Sequence, residues 1–365
     1  MPSENILFVL TQNPYIIEAV KSSKFVNLFR QIVFVEKQLY NSSNLNIPQP
    51  IELGAQVINS VNINSFLGNL QHHEILKQIN KENIFVLSVQ NFLQKVTDVS
   101  NNQELNEIVD MVNVHFVHNN ICSYTVGSPA RFPQIYFEEL KSVSKVLGEK
   151  QDNSDVINIF GYDKTIGSLF TELKDIDAEN WCKEFNDFDR VTQVRNTLNS
   201  INFTPMIINK MQHETTLDLS KVLSDNTYKM LLKDSLLNLF NDFKLKSNIN
   251  IDYVVGVEGN GFILGTLLSE LLNIPFVPAR KYTESLSETY DYDSYKIQQN
   301  LIQLNKNILV VDDIIQDGLI QKNIHSLLNF FFPTVTLFFG LGLNKNNLEK
   351  IKENMDDLAN NIITL

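Results

Sequence analysis

NILVVDDIIQDGLIQ, Asn307 to Gln321, is the stretch that decides the fold of the second half of this chain. Four apolar residues, Ile308 to Val311, run into two carboxylates, Asp312 and Asp313, then into a short loop around Gly318 with a third acid, Asp317, on the way. Buried parallel strands seldom end in paired acids unless something cationic or hydroxyl-rich faces them, because an uncompensated buried charge is costly. Two carboxylates there suit the vicinal hydroxyls of a ribose, or a magnesium ion with waters between. The loop after them, at a helix N-terminus, suits a phosphate.

Outward from this stretch, the second half alternates strands and helices. Leu219 to Phe243 reads as a long amphipathic helical region, Tyr253 to Val257 as a strand and Gly265 to Leu272 as a helix. Phe276 to Pro278 is a strand, Ile308 to Val311 the strand quoted above, Ile320 to Phe330 a helix and Val335 to Gly340 a strand. Such alternation implies a mainly parallel sheet covered on both faces, with ligands beyond the carboxyl ends of the strands. A second strand end, VVGVEGNGF (Val254 to Phe262), holds Gly256, Gly259 and Gly261, so backbone amides can approach a ligand closely there. Alone, that run is as consistent with a plain tight turn.

The first half is α/β as well. Ile6 to Leu10 and Ile32 to Val35 read as strands, Asn41 to Pro50 as a loop, Ile84 to Val89 and Val112 to Val117 as strands, and Phe137 to Leu147 and Arg190 to Phe203 as helices. Thr204-Pro205 is the expected border, which gives domains 1–205 and 206–365. At 365 residues, two domains are the natural expectation.

Apolar residues make up 43% of the chain and charged residues 20%, enough for packed cores. The net charge of -12 argues against nucleic acids and anionic membranes as partners, and no basic patch reverses this. Two cysteines, Cys122 and Cys182, lack metal-ligand spacing and fit a reducing compartment. The start has no basic flank for a signal peptide, and no window of about 18 apolar residues occurs, so the chain reads as cytoplasmic.

From Asp218 to about Gly340 the chain resembles the type I phosphoribosyltransferases, and among them the adenine phosphoribosyltransferase family. The matching pieces are VVGVEGNGFILG (Val254 to Gly265), PFVPARK (Pro275 to Lys281) and ILVVDDIIQDG (Ile308 to Gly318), with DLSKVL (Asp218 to Leu223) ahead of them. The resemblance implies that adenine and magnesium phosphoribosyl pyrophosphate give AMP and pyrophosphate. It assigns Asp312 and Asp313 to the ribose hydroxyls. The loop Ile314, Ile315, Gln316, Asp317, Gly318, Leu319 and Ile320 falls to the 5′-phosphate, and Arg280 and Lys281 with the turn Glu258, Gly259, Asn260 and Gly261 to the pyrophosphate. Mg2+ is the implied cofactor, and a homodimer or a heterodimer with an active relative the implied assembly.

The departures from the family are clustered. Its phosphate loop is rich in threonine, whereas Gln316, Asp317, Leu319 and Ile320 stand here. Asp317 puts an anion where an anion should bind, and two unit charges about 4 Å apart repel by roughly 4 kcal/mol at an intermediate dielectric. Asn260 replaces an arginine, Glu284 a lysine, Leu217 an arginine, and Lys296 stands where the family has the glutamate that manages the base's proton. Together these point to lost or altered catalysis.

The first half resembles the inosine/xanthosine triphosphatases through TQNPYIIEAV (Thr11 to Val20), PQPIELGAQ (Pro48 to Gln56), VGSPARFPQIYFEEL (Val126 to Leu140), TIGSLFT (Thr165 to Thr171) and RVTQVRNTLNSINF (Arg190 to Phe203). Here too carboxylates and a cation are missing: Ile17 stands for a lysine, the single Glu52 for paired glutamates, and Gln90 for a metal-binding glutamate. Asp110 remains as a candidate acid, by default a solvated residue beside a strand, His72-His73 lacks a third metal ligand, and His115 and His118 read as surface or packing residues. Cys122 reads as a small core residue and Trp181 as a packing or docking aromatic. Three readings stay open: a working adenine phosphoribosyltransferase, a non-catalytic purine-nucleotide or phosphoribosyl-pyrophosphate binding protein, and a retained triphosphatase in the first half.

Overall fold

The computed structural model describes residues 5–40, 49–51, 53–70, 79–100, 103–147, 161–178, 180–213, 216–281, 289–343 and 347–365. Glu52, His72-His73 and Glu284 lie outside them. The chain divides into two compact units, 1–206 and 207–365.

In the first unit, β1 (Ile6–Val9) leads into α1 (Pro14–Lys21), where Asn13 accepts the Tyr15 N–H and Pro14 fills the first turn. Next come β2 (Gln31–Phe34), α2 (Leu53–Leu70), and a long hairpin of β3 (Ile84–Ser100) and β4 (Gln103–His118), then β5 (Ile121–Ala130). The sheet order is β2-β1-β3-β4-β5. Both hairpin strands run well past the stretches expected, since Asn91, Lys95 and Asp110 interrupt the apolar alternation without interrupting the ladder. The edge strand β5 hides behind Gly127 and Pro129, residues that suit an edge and disguise a strand. Then α3 (Gln134–Val143), α4 (Ile166–Lys174) and α5 (Arg190–Asn199) follow. One apolar cluster gathers Phe8, Phe66 and Val86, and another gathers Leu93, Phe170 and Trp181.

Thr204-Pro205, expected as the domain border, opens α6 (Thr204–Met211). A proline in a first helical turn loses no hydrogen bond, so Pro205 suits a helix start.

The second unit contains α7 (Asn226–Ser247), β6 (Tyr253–Val257), α8 (Asn260–Leu272), β7 (Phe276–Lys281), β8 (Thr289–Tyr292), β9 (Tyr295–Gln298) and β10 (Asn307–Ile315). It closes with α9 (Leu319–Leu328), β11 (Val335–Leu343), α10 (Leu348–Met355) and β12 (Ile362–Thr364). The strand order is β8-β9-β7-β6-β10-β11-β12. The pairs of β6 with β7, β6 with β10, β10 with β11 and β11 with β12 are parallel, while the β8–β9 hairpin joins β7 antiparallel. All five residues of β6 are buried, as a central parallel strand requires. Val255, Ile308, Val310 and Phe338 share its core.

The expected strand Ile308 to Val311 is longer than its apolar run. β6 accompanies β10 only as far as Gly256 opposite Val311, whereas β11 continues, pairing Asp312 with Gly340 and Ile315 with Leu343. The acids therefore lie on a strand that has lost one neighbour and kept the other.

Candidate functional site

At the carboxyl ends of β6, β7 and β10, the acid pair of the quoted stretch sits among polar side chains from the flanking helices. Asp312 is buried and accepts from the Asp313 N–H at 2.9 Å and from Gln321 Nε2 at 3.3 Å. Its carboxyl is pushed up to about 7, first by burial and then by the charge of Asp313. Asp313 accepts from Asn260 Nδ2 at 2.8 Å and from the Ile314 N–H at 3.0 Å. Asn260, expected in a pyrophosphate turn, thus ties the start of α8 to the acid pair.

Two glycines make this proximity possible. Gly259 caps α8 with φ +113, a conformation that side chains rarely adopt. A Cβ at Gly261 would lie 2.6 Å from the Val311 carbonyl oxygen, so only glycine lets α8 begin this close to β10. Glu258 accepts the Lys281 N–H and donates its own backbone N–H to the Ala279 carbonyl at 3.0 Å, joining the ends of β6 and β7. Arg280 is exposed, its guanidinium 5.8 Å from the Phe262 ring centre.

Ile314 and Ile315, expected in the phosphate loop, belong to β10: they pair with Gly342 and Leu343, and Ile315 is fully buried. The loop proper is Gln316, Asp317 and Gly318, because Leu319 and Ile320 already form the first turn of α9. Asp317 accepts the Leu319 N–H at 3.1 Å, and its own carbonyl accepts from Asn354 Nδ2 of α10 at 2.9 Å. The half-buried Asp317 carboxylate therefore caps the positive end of α9, where an anionic ligand would otherwise be favoured. Lys296 is buried on β9, opposite Arg280 in the ladder, and pairs with Asp291 at 3.4 Å.

Gln321 and Tyr295 belong to this cluster although the sequence does not single them out. The hydroxyl of Tyr295 is held above its usual range by burial first, then by the charges of Asp312, Glu258 and Asp293. A buried glutamine on the apolar face of α9, beside Ile324 and Leu328, was the available signal.

In the first unit, Asp110 is no solvated acid: it is fully buried and salt-bridged to Arg190, with Asn91 and Gln193 also donating to it. Arg190 lies 5.2 Å from the Trp181 ring centre and 5.8 Å from that of Tyr15. A cavity of about 270 Å³ lies beside it, lined by Pro14, Tyr15, Glu18, Asn180, Asp189 and Arg190. Cys122, expected in the core, is exposed, 3.8 Å from His115 Nδ1. His118 stacks on Phe85 as a packing residue. Among the described residues no group of three His, Cys, Asp or Glu side chains could hold a metal ion, and no helix is long and apolar enough to cross a membrane.

A mixed α/β sheet with an acid pair at the end of a central strand defines the class: a phosphoribosyltransferase-like α/β protein. Adenine phosphoribosyltransferase 1 of Saccharomyces cerevisiae is 37% identical over 78 residues, covering 19% of this chain and 42% of that one. Adenine phosphoribosyltransferase of Halothermothrix orenii is 32% identical over 120 residues, covering 31% of this chain and 67% of that one. Through this stretch the chain belongs to the adenine phosphoribosyltransferase family. It spans about half the length of the curated relatives it matches, and no family model matches it. Among solved structures, the Saccharomyces cerevisiae adenine phosphoribosyltransferase complexed with an imino-altritol bisphosphate and adenine superposes on 44% of this chain and 97% of its own, at 22% identity and a TM-score of 0.37.

Proposed function

We propose that the second unit is a purine-ribosyl binding site of adenine phosphoribosyltransferase descent in which phosphoribosyl transfer is impaired. The observation that carries this reading is Asp317, whose carboxylate takes the Leu319 N–H at the start of α9. The 5′-phosphate of a phosphoribosyl ligand brought to this helix end meets a fixed anion in place of a donor, and binding energy lost at such a non-reacting handle is lost from the transition state as well. The acid pair keeps the ribose function, since carboxylates accept from vicinal hydroxyls. Lys296 is engaged with Asp291 across the β8–β9 hairpin, which leaves the base's proton without the carboxylate that family resemblance would put there.

Magnesium enters this reading only as part of a pyrophosphate ligand. Among the described residues Asp312 and Asp313 form no metal-holding group with a third acid, and Asn260, Gln321 and backbone N–H groups already donate to them, so the donor set does not suit a resident ion. In the first unit, Asp110 is neutralised by Arg190, which supports a triphosphatase-like domain without its metal chemistry.

The test is calorimetric titration of the full chain with magnesium phosphoribosyl pyrophosphate and with AMP, followed by a coupled assay of pyrophosphate release with adenine. The expected outcome is no pyrophosphate release above background. Turnover at a rate ordinary for enzymes, on the order of 1–10 per second or more, would sink the impaired-transfer reading.

A further inference from the structure

The first unit has a second cavity besides the one next to Arg190. Its volume is about 300 Å³, and it lies where the last turn of α2 meets the start of β3 and the end of β4. Leu67 and Leu70 of α2 line one side, and Ile84, Val86 and Val117 of the hairpin line the other. Leu70, Ile84 and Val86 are buried members of the unit's core, so the cavity is floored by apolar core that nothing fills. Concave sites with apolar walls and a few fixed polar groups are the usual form of a small-molecule pocket.

The polar part of the lining comes from the chain just before β3 and just after β4. Lys81 supplies the one lysine or arginine, and no acid belongs to the lining. Asn119 and Asn120 form the two-residue turn between β4 and β5, with φ of 48 and 63, a backbone that matches the twist of the paired strands and holds the turn in place. His118 is fixed as well, stacked on Phe85 with ring centres 3.8 Å apart and with Nε2 2.8 Å from the Glu82 carbonyl oxygen. A ligand matched to these walls has an aliphatic tail and an anionic head that accepts from an ammonium and from amide N–H groups. At about 30 Å³ for each water-sized group, the cavity holds roughly ten heavy atoms, the size of an eight-carbon carboxylate.

We infer that the first unit binds a medium-chain aliphatic carboxylate in this cavity, its tail between α2 and the β3–β4 hairpin and its carboxylate at Lys81 and the Asn119-Asn120 turn. The chain as a whole carries a net charge of -12 and repels anions at long range, so a preference for an anionic head has to arise locally. An alkylammonium of the same length is the matching control, because the overall charge favours it and the lining does not.

The test is calorimetric titration of the full chain with sodium octanoate and with octylammonium chloride, repeated on Lys81→Gln and on Leu67→Trp, which fills the cavity. Octanoate should bind at one site per chain with a Kd below about 1 mM, at least about tenfold more tightly than octylammonium. Lys81→Gln should weaken octanoate by at least about threefold, as loss of an exposed charge contact does, and Leu67→Trp should remove its binding. Octylammonium binding as tightly as octanoate, octanoate binding left unchanged by either variant, or no octanoate binding at all would each overturn the inference. Lys81 is exposed, so Lys81→Gln should melt at the temperature of the unaltered chain, and it decides the matter alone if Leu67→Trp does not fold.

Discussion

Asp312 is the residue where the chemistry of the site and the stability of the fold meet. Its folded-state pKa is raised to about 7, because burial disfavours the charged form and Asp313 adds a like charge. At acid pH, below the ordinary carboxylate range, folded and unfolded chains both hold the proton and the group costs nothing. As pH rises toward 7, the unfolded chain releases its proton first, so stability falls; above about 7 the full penalty is present. A rise from the ordinary carboxylate range to about 7 corresponds to something on the order of 4 kcal/mol. Asp312→Asn carries no charge and should lack this component. Urea midpoints measured at pH 4.5 and pH 7.5 check it: the loss of stability between the two should be smaller in the variant, and an equal loss in both proteins would contradict the assignment.

At the scale of elements, α8 holds the site together by starting against β10. A Cβ at residue 261 would press on the Val311 carbonyl oxygen, which belongs to the backbone of a central strand and cannot swing aside. Gly261→Ala should therefore displace the start of α8, break the Asn260 to Asp313 hydrogen bond, and cost about 1–3 kcal/mol. Gly68→Ala in α2, where nothing lies within 4 Å of the new Cβ, is the control and should be neutral or stabilising by up to about 1 kcal/mol. Thermal unfolding of the two variants separates the cases, and equal midpoints would show that α8 yields at no cost.

The same elements show what the sequence could tell. β6 was legible to the residue because a fully buried parallel strand is a continuous apolar run, and the VVDD junction marked Asp312 and Asp313 as candidates because adjacent acids there have no packing purpose. What stayed hidden depended on partners far along the chain. β10 runs on to Ile315 only because β11 pairs with it there, and the hairpin Thr289–Tyr292 with Tyr295–Gln298 is built on polar and aromatic residues without a clean alternation. Asp110 looked solvated because its partner Arg190 is remote in sequence, and Gln321 was not singled out because its bond to Asp312 joins α9 to another element.

At the scale of the whole molecule, each unit has a core of its own, and compact units with separate cores generally fold alone. The second unit centres on β6 and β10, strands flanked on both sides by others, whereas β8 and β12 are edges. A chain beginning at Thr204, which keeps α6 whole, should then unfold in a single cooperative transition. Its amides on Val254, Val255, Leu309 and Val310 should be the last to exchange with deuterium, because opening them requires breaking ladders on two sides, while those of Thr289–Tyr292 exchange first. Chemical denaturation followed by circular dichroism and by tyrosine fluorescence checks the first point, since the only tryptophan, Trp181, lies outside this piece. Coincident curves are expected. Curves that diverge, or exchange that is uniformly fast across the central strands, would mean that the second unit depends on the first for its fold.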